Sequence, residues 1–329
     1  MTNPPLTGDA IRNLGEIGET MLLFGGPYGN LEATRALLAE AERRAVPPAR
    51  MICTGDVAAY CAEPGACIEL LAERGIPVVM GNCEEQLAAD AEDCGCGFEE
   101  GSACAAFSAD WYGYCRTMLD RAAKEWMGGL PRRLLFRAGG RSFAVVHGAP
   151  SAINGFVFPS TAAATVAAEI ASAGTAGVIC GHSGIPFVRR SGEAPAGGGL
   201  WLNAGAIGMP ANDGTPRVWY ATLEPQPPDL GGGLRAAIHA LDYDHAAAAR
   251  KMRDRRLPEG YASALETGLW PSCDVLPPVE RAARGRPLSP VAVVWPRPSP
   301  DKAEPKAILD KDKPEPRIAA KRIPAAARS

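Results

Sequence analysis

Four short apolar runs in the chain end on a glycine beside a polar side chain. They are residues 51–56, 77–82, 143–148 and 177–182. Each has the length and the β-branched content of a buried strand, so the pattern predicts strands that carry polar groups at their ends. Because ligands of open α/β sheets bind at the carboxyl ends of strands, these polar side chains are expected at one edge.

The polar side chains at the four ends are chemically compatible with a metal site. They are Asp56, Asn82, His147 and His182. Taken singly, a Gly-Asp pair is more typical of a turn, and a histidine after a strand is often a hydrogen-bonded core residue. A carboxylate, an amide and two imidazoles at one edge are a plausible donor set for a divalent cation.

Strands and helices alternate in the first part of the chain. Apolar runs predict strands at 21–24, 51–54 and 76–80, and helical spacing predicts helices over 31–45, with Asn30 as N-cap, and around 67–74. This alternation favours parallel strands with right-handed crossovers. Residues 1–20 are expected to be an irregular lead-in with one short helix.

The remainder of the pattern predicts a second sheet and further helices. Residues 84–130 are expected to be largely helical around a glycine- and cysteine-rich loop, and a hairpin is expected across Gly139-Gly140. A helix is predicted over 161–173, strands near 177–180, 186–190, 200–203 and 217–223, and helix over 233–266.

Composition and charge narrow the class of protein. The chain has 329 residues and a formal net charge of −3, so nothing overall suggests nucleic acid or an anionic membrane as a partner. No stretch approaches the ~20 apolar residues of a membrane span, and the N-terminus lacks the pattern of a signal peptide. We therefore expect a cytoplasmic protein whose ten cysteines are mostly reduced.

The order and approximate spacing of these motifs resemble those of the calcineurin-like metallophosphoesterases. The matching motifs are Gly55-Asp56, Gly81-Asn82, His147-Gly148-Ala149-Pro150, Gly181-His182 and a closing segment at 203–208. The resemblance covers roughly residues 21–270. It implies a four-layer αββα sandwich with two mixed β-sheets, a site for two metals, and hydrolysis of phosphate esters. In that family the residue matching Asp56 bridges both metals.

The resemblance also suggests a division of the chain. We expect a metallophosphoesterase-like domain over 21–225 after the lead-in, and a helical extension over 226–296 packed on it. From residue 297 the chain holds nine basic residues, five acidic residues and six prolines, which is typical of a disordered tail.

Three positions depart from the family pattern. The family's first motif is Asp-x-His-Gly-Asn, and in this chain Gly26 replaces its aspartate and Tyr28 its histidine. A later family motif is Gly-His-x-His, and here Gly184 replaces its second histidine. All three missing ligands normally hold the first metal, whereas the ligands of the second are all present. The simplest interpretation is a site for one cation (manganese, iron or zinc), or a second cation held by new ligands.

Cys83 stands where the family has a histidine that helps the leaving group depart. Its thiol would be a poorer acid than an imidazole but a better ligand for a soft metal. Cys94, Cys96 and Cys104 follow in a loop that would fold over the site, so a second cation assisted by Cys83, Cys94 and Cys96 is one interpretation. Small buried residues in a glycine turn and a redox pair are the others. Tyr28 would donate to a phosphoryl oxygen, ligate iron, or pack.

Two functions follow from these residues. The first is a divergent metal-dependent phosphoesterase that hydrolyses a small phosphate ester or nucleotide with metal-activated water, with Cys83 and Tyr28 as catalytic candidates. The second is an inactive metal- or phosphate-binding protein on the same scaffold. Loss of one metal removes several kcal/mol of transition-state stabilisation, which is several orders of magnitude in rate.

Overall fold

A computed structural model of the chain describes residues 10–191, 198–227 and 232–297. In chain order its strands are β1 Ile11–Glu16, β2 Met21–Phe24, β3 Met51–Cys53, β4 Arg133–Ala138, β5 Arg141–Val145, β6 Gly177–Cys180, β7 Phe187–Ser191, β8 Gly199–Asn203, β9 Val218–Pro225, β10 Leu234–Leu241 and β11 Val291–Trp295. Its α-helices are α1 Leu31–Arg43, α2 Pro64–Glu73, α3 Asn82–Ala88, α4 Ala103–Met118, α5 Arg121–Gly128, α6 Ala163–Ala173, α7 His245–Asp254, α8 Glu259–Thr267 and α9 Pro278–Ala282.

The strands form two mixed sheets. The six-stranded sheet has the order β1-β4-β5-β6-β8-β7, and the five-stranded sheet has the order β11-β10-β9-β2-β3. In the first, β5, β6 and β8 run parallel to one another; in the second, β2 and β3 are the parallel pair. The hairpin of β4 and β5 turns at Gly139 and Gly140, which both have positive φ as a two-residue hairpin turn requires.

A core between the sheets follows from the alternation of side chains along each strand. On β2, Met21 and Leu23 pack with residues of the six-stranded sheet such as Phe136 and Phe143. The intervening Leu22 and Phe24 face the other way, into a cluster shared with the helices α1, α2, α4, α7 and α8. The two faces of β2 are therefore both covered.

Helix α6 covers the outer face of the six-stranded sheet. Its Val166 and Ile170 pack on Val178 of β6 and Trp201 of β8. The layers are thus helix, sheet, sheet and helix, and the four-layer αββα sandwich with two mixed sheets is confirmed.

Several predicted elements differ in the structure. Residues 11–16 form a strand that pairs with β4, so the short helix expected there is wrong. The strand expected over 76–80 is reduced to one parallel bridge between Cys53 and Val78, because Pro77 has no N–H and Met80 donates to Pro131. The helix expected from 233 is also wrong over 234–241, where β10 pairs with β9.

The predicted division of the chain stays a prediction. Strands β1, β10 and β11 lie outside residues 21–225 yet pair within the two sheets, so the segment after residue 225 is only partly helical. Of the predicted disordered tail, residues 298–329 lie outside the described residues. Among the helices that the structure does describe, none has the length and apolar character to cross a bilayer.

Candidate metal centre

The four predicted ligands lie at the ends of strands or beside them. Asp56 follows β3, and His147 and His182 follow β5 and β6 by two residues each. Asn82 is the first residue of α3, just after the bridge that Val78 makes to β3. Since β3 belongs to one sheet and β5 and β6 to the other, the site forms where the two sheets meet.

The side chains converge on the Nε2 atom of His147. This nitrogen lies 3.0 Å from Oδ1 of Asn82, 3.1 Å from Nδ1 of His182 and 3.2 Å from Oδ2 of Asp56. Asp56, Asn82 and His147 are buried, and His182 is partly buried. The structure therefore brings all four predicted ligands together.

The second nitrogen of the His147 ring fixes its orientation. Nδ1 lies 2.6 Å from the carbonyl oxygen of Thr54, and a carbonyl oxygen can only accept. Nδ1 therefore carries a proton and donates it to Thr54, which directs Nε2 towards the other three side chains. Metal-binding histidines are commonly held in this way by a backbone carbonyl.

The electrostatics favour positive charge at Nε2. Burial lowers the pKa of His147, but the Asp56 carboxylate outweighs burial and raises that pKa above its usual value. Burial raises the pKa of Asp56, but His147 lowers it below the usual value. Burial and the nearby His147 lower the pKa of His182 to about 3, so its imidazole is neutral. A metal cation that replaced the proton on Nε2 of His147 would be attracted by the same Asp56 carboxylate.

The distances from Nε2 of His147 match those between neighbouring ligands of one cation, and ligand atoms of Asp56, His147 and His182 all lie within 4.8 Å of one another. Ligands bound at about 2.1 Å lie about 3.0 Å apart in octahedral and about 3.4 Å apart in tetrahedral coordination. The three contacts to Nε2 fall between 3.0 and 3.2 Å. Within residues 10–191, 198–227 and 232–297, the group formed by Asp56, His147 and His182 is the one cluster of His, Cys, Asp or Glu that is close enough to hold a metal.

Three of the predicted site residues have a backbone conformation that side chains rarely adopt. The φ angles of Tyr28, Asp56 and His182 are +52°, +56° and +57°. The left-handed region is unfavourable for any residue with a Cβ, and such strain concentrates at functional sites. Surrounding hydrogen bonds are therefore needed to hold these turns.

Glu84 holds the turn of Asp56, a role that the sequence analysis did not assign. Its fully buried carboxylate accepts from the backbone N–H of Asp56 at 2.8 Å, Val57 at 2.7 Å and Gly81 at 2.9 Å. Burial, with Asp56 nearby, raises the pKa of Glu84 to about 7. Glu84 thus connects the loop after β3 to the start of α3 and fixes Asp56 relative to Asn82.

Asn203 holds the turn of His182 as Glu84 holds that of Asp56. The Asn203 side chain donates to the carbonyl oxygen of Gly181 and to Oγ of Ser183, both at 2.8 Å, and accepts from the N–H of Gly205. The closing segment noted in the sequence therefore orients the turn that carries His182.

Aromatic rings occupy the other side of the site, where the family ligands are missing. A Cβ on Gly26 would lie 2.4 Å from Cζ of Tyr28, so the Tyr28 ring fills the space of any side chain at 26. A Cβ on Gly184 would lie 3.2 Å from Cζ2 of Trp270. Burial and the Asp56 charge raise the pKa of Tyr28, so its hydroxyl keeps its proton.

The structure does not support thiolate ligation by Cys94 and Cys96. A disulfide joins these two cysteines, and a disulfide sulfur lacks the negative charge that makes a thiolate a good ligand. They remain next to the site, because Nδ2 of Asn82 donates to the carbonyl oxygen of Cys94 at 2.9 Å and to Sγ of Cys96 at 3.4 Å. Of the interpretations from the sequence, the redox pair agrees with this bond. Cys104 is buried and unbonded to sulfur.

Cys83 lies behind the site rather than in an open cavity. Its thiol is buried, and its N–H donates to Oδ1 of Asp56 at 3.3 Å. Burial first, and then the negative charge of Asp56, raise the pKa of Cys83 well above its usual value. In this environment the sulfur keeps its proton.

Comparisons with known proteins agree with this architecture. The model of the calcineurin-like phosphoesterase superfamily domain matches residues 29–226. A metallophosphoesterase from Sphaerobacter thermophilus is 24% identical with a TM-score of 0.58, over 77% of this chain and 100% of that one. The hypothetical protein PH1004 from Pyrococcus horikoshii OT3 is 16% identical with a TM-score of 0.62, over 76% of this chain and 99% of that one. A search of curated proteins finds no match. The chain belongs to the calcineurin-like phosphoesterase superfamily.

Proposed function

We propose that the chain is a metal-dependent phosphoesterase that hydrolyses a small phosphate ester at a site for one divalent cation. Asp56, Asn82, His147 and His182 hold the cation in this proposal. The observation that carries it is the convergence of three oxygen or nitrogen donors on Nε2 of His147 at 3.0–3.2 Å. The donor set suits zinc or iron, and its two oxygens also suit manganese.

Residues around the cation have separate tasks in the proposed reaction. When bound, the cation supplies a Lewis acid and a water of lowered pKa. Tyr28 lines the same cavity as Asp56 and His182, and its protonated hydroxyl is available to donate to a phosphoryl oxygen. Tyr28 is therefore proposed to bind and orient the phosphoryl group.

Cys83 has the position of the family histidine, but its buried thiol does not line the cavity, so we propose that it packs beneath Asp56 and does not protonate the leaving group. Its raised pKa keeps the thiol protonated, which an acid requires, but also makes it a weak acid. Replacement by serine removes the thiol and preserves the size. We expect kcat to change little for esters of both poor and activated leaving groups, and a fall confined to poor leaving groups would instead assign proton transfer to this thiol.

A binding protein without turnover is the second candidate. Tyr28 and Trp270 fill the space beside Gly26 and Gly184, which are the positions of first-metal ligands in the family pattern. A single cation would still bind phosphate, whereas a two-metal reaction also stabilises the leaving oxygen. The cytoplasmic location expected from the sequence stays a prediction.

Metal content followed by hydrolysis distinguishes the two candidates. The full chain is purified without added metal, its metal is quantified, and phosphomonoesters and phosphodiesters are assayed with manganese, iron or zinc. We expect hydrolysis that is lost in Asp56→Asn and kept in His245→Ala, since His245 lies outside the site. One tightly held metal per chain without hydrolysis of any ester would favour the binding protein.

A further inference from the structure

A cavity opens from the proposed cation site, and its other walls are aromatic. Asp56 and His182 line one end of this cavity. The remaining wall is largely apolar, and its rings are those of Tyr28, Tyr60, Phe98, Phe156, Tyr261 and Trp270. A group bound at Asp56 and His182 therefore has aromatic neighbours within the same cavity.

The rings are held in place before any ligand binds. The indole N–H of Trp270 donates to the carbonyl oxygen of Pro210 at 2.7 Å, and the Trp270 backbone N–H donates to Oδ1 of Asn212 at 2.9 Å. The N–H edge of the indole therefore already has a hydrogen-bond partner within the protein. Its apolar surface contributes to the cavity wall.

Neighbouring rings support one another along the rest of the wall. The ring of Tyr60 lies 4.8 Å from those of both Tyr28 and Tyr261. The Phe156 ring lies 4.3 Å from the imidazole of His182 and stacks on Phe158. A preformed wall binds a planar group without the entropic cost of ordering these side chains.

Charge along the cavity argues against a polyphosphate ligand. Among the described residues that line it, none is lysine or arginine. Sites that bind several phosphates surround them with cationic side chains or backbone N–H groups. One phosphoryl group would be balanced by the cation, and further phosphates would lie against aromatic walls.

Size restricts the organic group as well. The cavity volume is about 70 Å³. Since a water-sized group needs ~10–15 Å³ of such space, the enclosed part has room for about five to seven of them. One ring is close to that size, and a larger organic group would extend beyond the enclosed part.

We propose that the site takes a phosphate monoester whose organic group carries a single planar aromatic ring, which packs against Trp270. The inference rests on the proposed function, because it assumes that the phosphoryl group binds at the cation. Offset or edge-to-face contacts between rings contribute ~0.5–1.5 kcal/mol beyond the area that they bury. The ring and not the chain length of the alcohol would then determine affinity.

The test uses phosphonates, which bind like esters but are not hydrolysed. The dissociation constants of benzylphosphonate and propylphosphonate are measured by calorimetry on the zinc-loaded full chain. We expect benzylphosphonate to bind about tenfold more tightly, which corresponds to ~1.4 kcal/mol. Trp270→Ala is expected to abolish the preference. Trp126→Ala removes another half-buried tryptophan, outside the cavity, and should keep it.

Val275→Trp provides a second variant if Trp270→Ala does not fold. Val275 lines the cavity, so a larger side chain there fills it without removing a ring. We expect propylphosphonate to bind as in the parent and benzylphosphonate to lose its advantage. Equal binding of both phosphonates to the parent would overturn the inference and leave the proposed function standing. A chain that hydrolyses esters but binds neither phosphonate would also overturn the inference. A chain that holds no metal would overturn both the inference and the proposed function.

Discussion

The two sides of the site are built from opposite kinds of residue. On the side of His147, ionisable and amide groups lie within 3.0–3.2 Å of one atom. On the side of Gly26 and Gly184, glycines leave space that the rings of Tyr28 and Trp270 occupy. One side groups the donors that we propose for a cation, and the other carries aromatic rings beside glycines.

At Gly26 the space of the family ligand is taken by packing. Here a side chain on Gly26 would overlap the Tyr28 ring, at 2.4 Å. The replacement is therefore part of the packing of this fold, and one changed residue would not restore the second metal site.

The largest expected effect comes from the side of His147. Replacing His147 by alanine removes the atom on which the donors converge and leaves the Asp56 carboxylate buried without its partner. We expect metal binding to be lost and kcat/KM to fall at least ~1000-fold, measured with metal analysis and ester hydrolysis. His245→Ala is the matched control. Full metal content in His147→Ala would contradict the proposed ligand set.

On the aromatic side, Gly26→Ala tests whether the ring of Tyr28 fills the site. The added methyl group overlaps that ring, and φ at Gly26 is +45°, so we expect unfolding in urea to become easier by about 3 kcal/mol. In a Tyr28→Ala background only the backbone strain remains, which costs about 1 kcal/mol.

Gly65→Ala serves as the control for that cycle. Gly65 lies in α2, where the nearest contact of an added Cβ would be at 4.0 Å. We expect it to change stability by no more than ~1 kcal/mol and in the stabilising direction. Equal destabilisation by Gly26→Ala with and without the Tyr28 ring would show that the ring does not occupy that space.

Glu84→Gln tests whether the support beneath the cation side is needed. An amide cannot accept from all three N–H groups as the carboxylate does, so we expect a loss of about 2 kcal/mol in the free energy of unfolding. Metal affinity should fall ~10–100-fold. Glu85→Gln affects a partly exposed ion pair with Arg132 and should cost less than ~1 kcal/mol. Unchanged metal affinity in Glu84→Gln would show that this carboxylate does not support metal binding.

The smallest effect is expected from the cysteines next to Asp56 and Asn82. Because Cys94 and Cys96 share a disulfide, Cys94→Ser/Cys96→Ser should leave one metal per chain, as should Cys83→Ser. The measurement is metal per chain in the parent and in each variant. If the parent holds two metals per chain and either variant holds one, thiolate ligation would be the better interpretation. The aromatic side of the site would then have to accept a metal.

The convergence of the four predicted side chains could be predicted because each signal is local. A strand, a glycine and a polar residue are contiguous in the chain, as at Gly55-Asp56 and Gly181-His182, and a short window contains them. Glu84 could not be assigned in this way, since its partner N–H groups at Asp56 and Val57 are 28 and 27 residues away.

Non-local pairing also explains the errors in the fold. Residues 234–241 are rich in alanine and leucine, which favour helix, but β9 offers eight consecutive partners from Val218 to Pro225. The position of Trp270 against Gly184 follows from the packing of the segment after α8, and no pattern near residue 184 indicates it. Tertiary contacts override local preference in both cases.

The left-handed turns at Tyr28, Asp56 and His182 have a consequence for the evolution of this protein. Each holds a side chain in a backbone region that glycine adopts at a cost lower by about 1 kcal/mol. At Tyr28 the packing of the ring outweighs that strain, whereas at Asp56 and His182 a change to glycine would relieve the strain and remove a proposed cation ligand. The side chains at these two positions mark where activity and stability would compete.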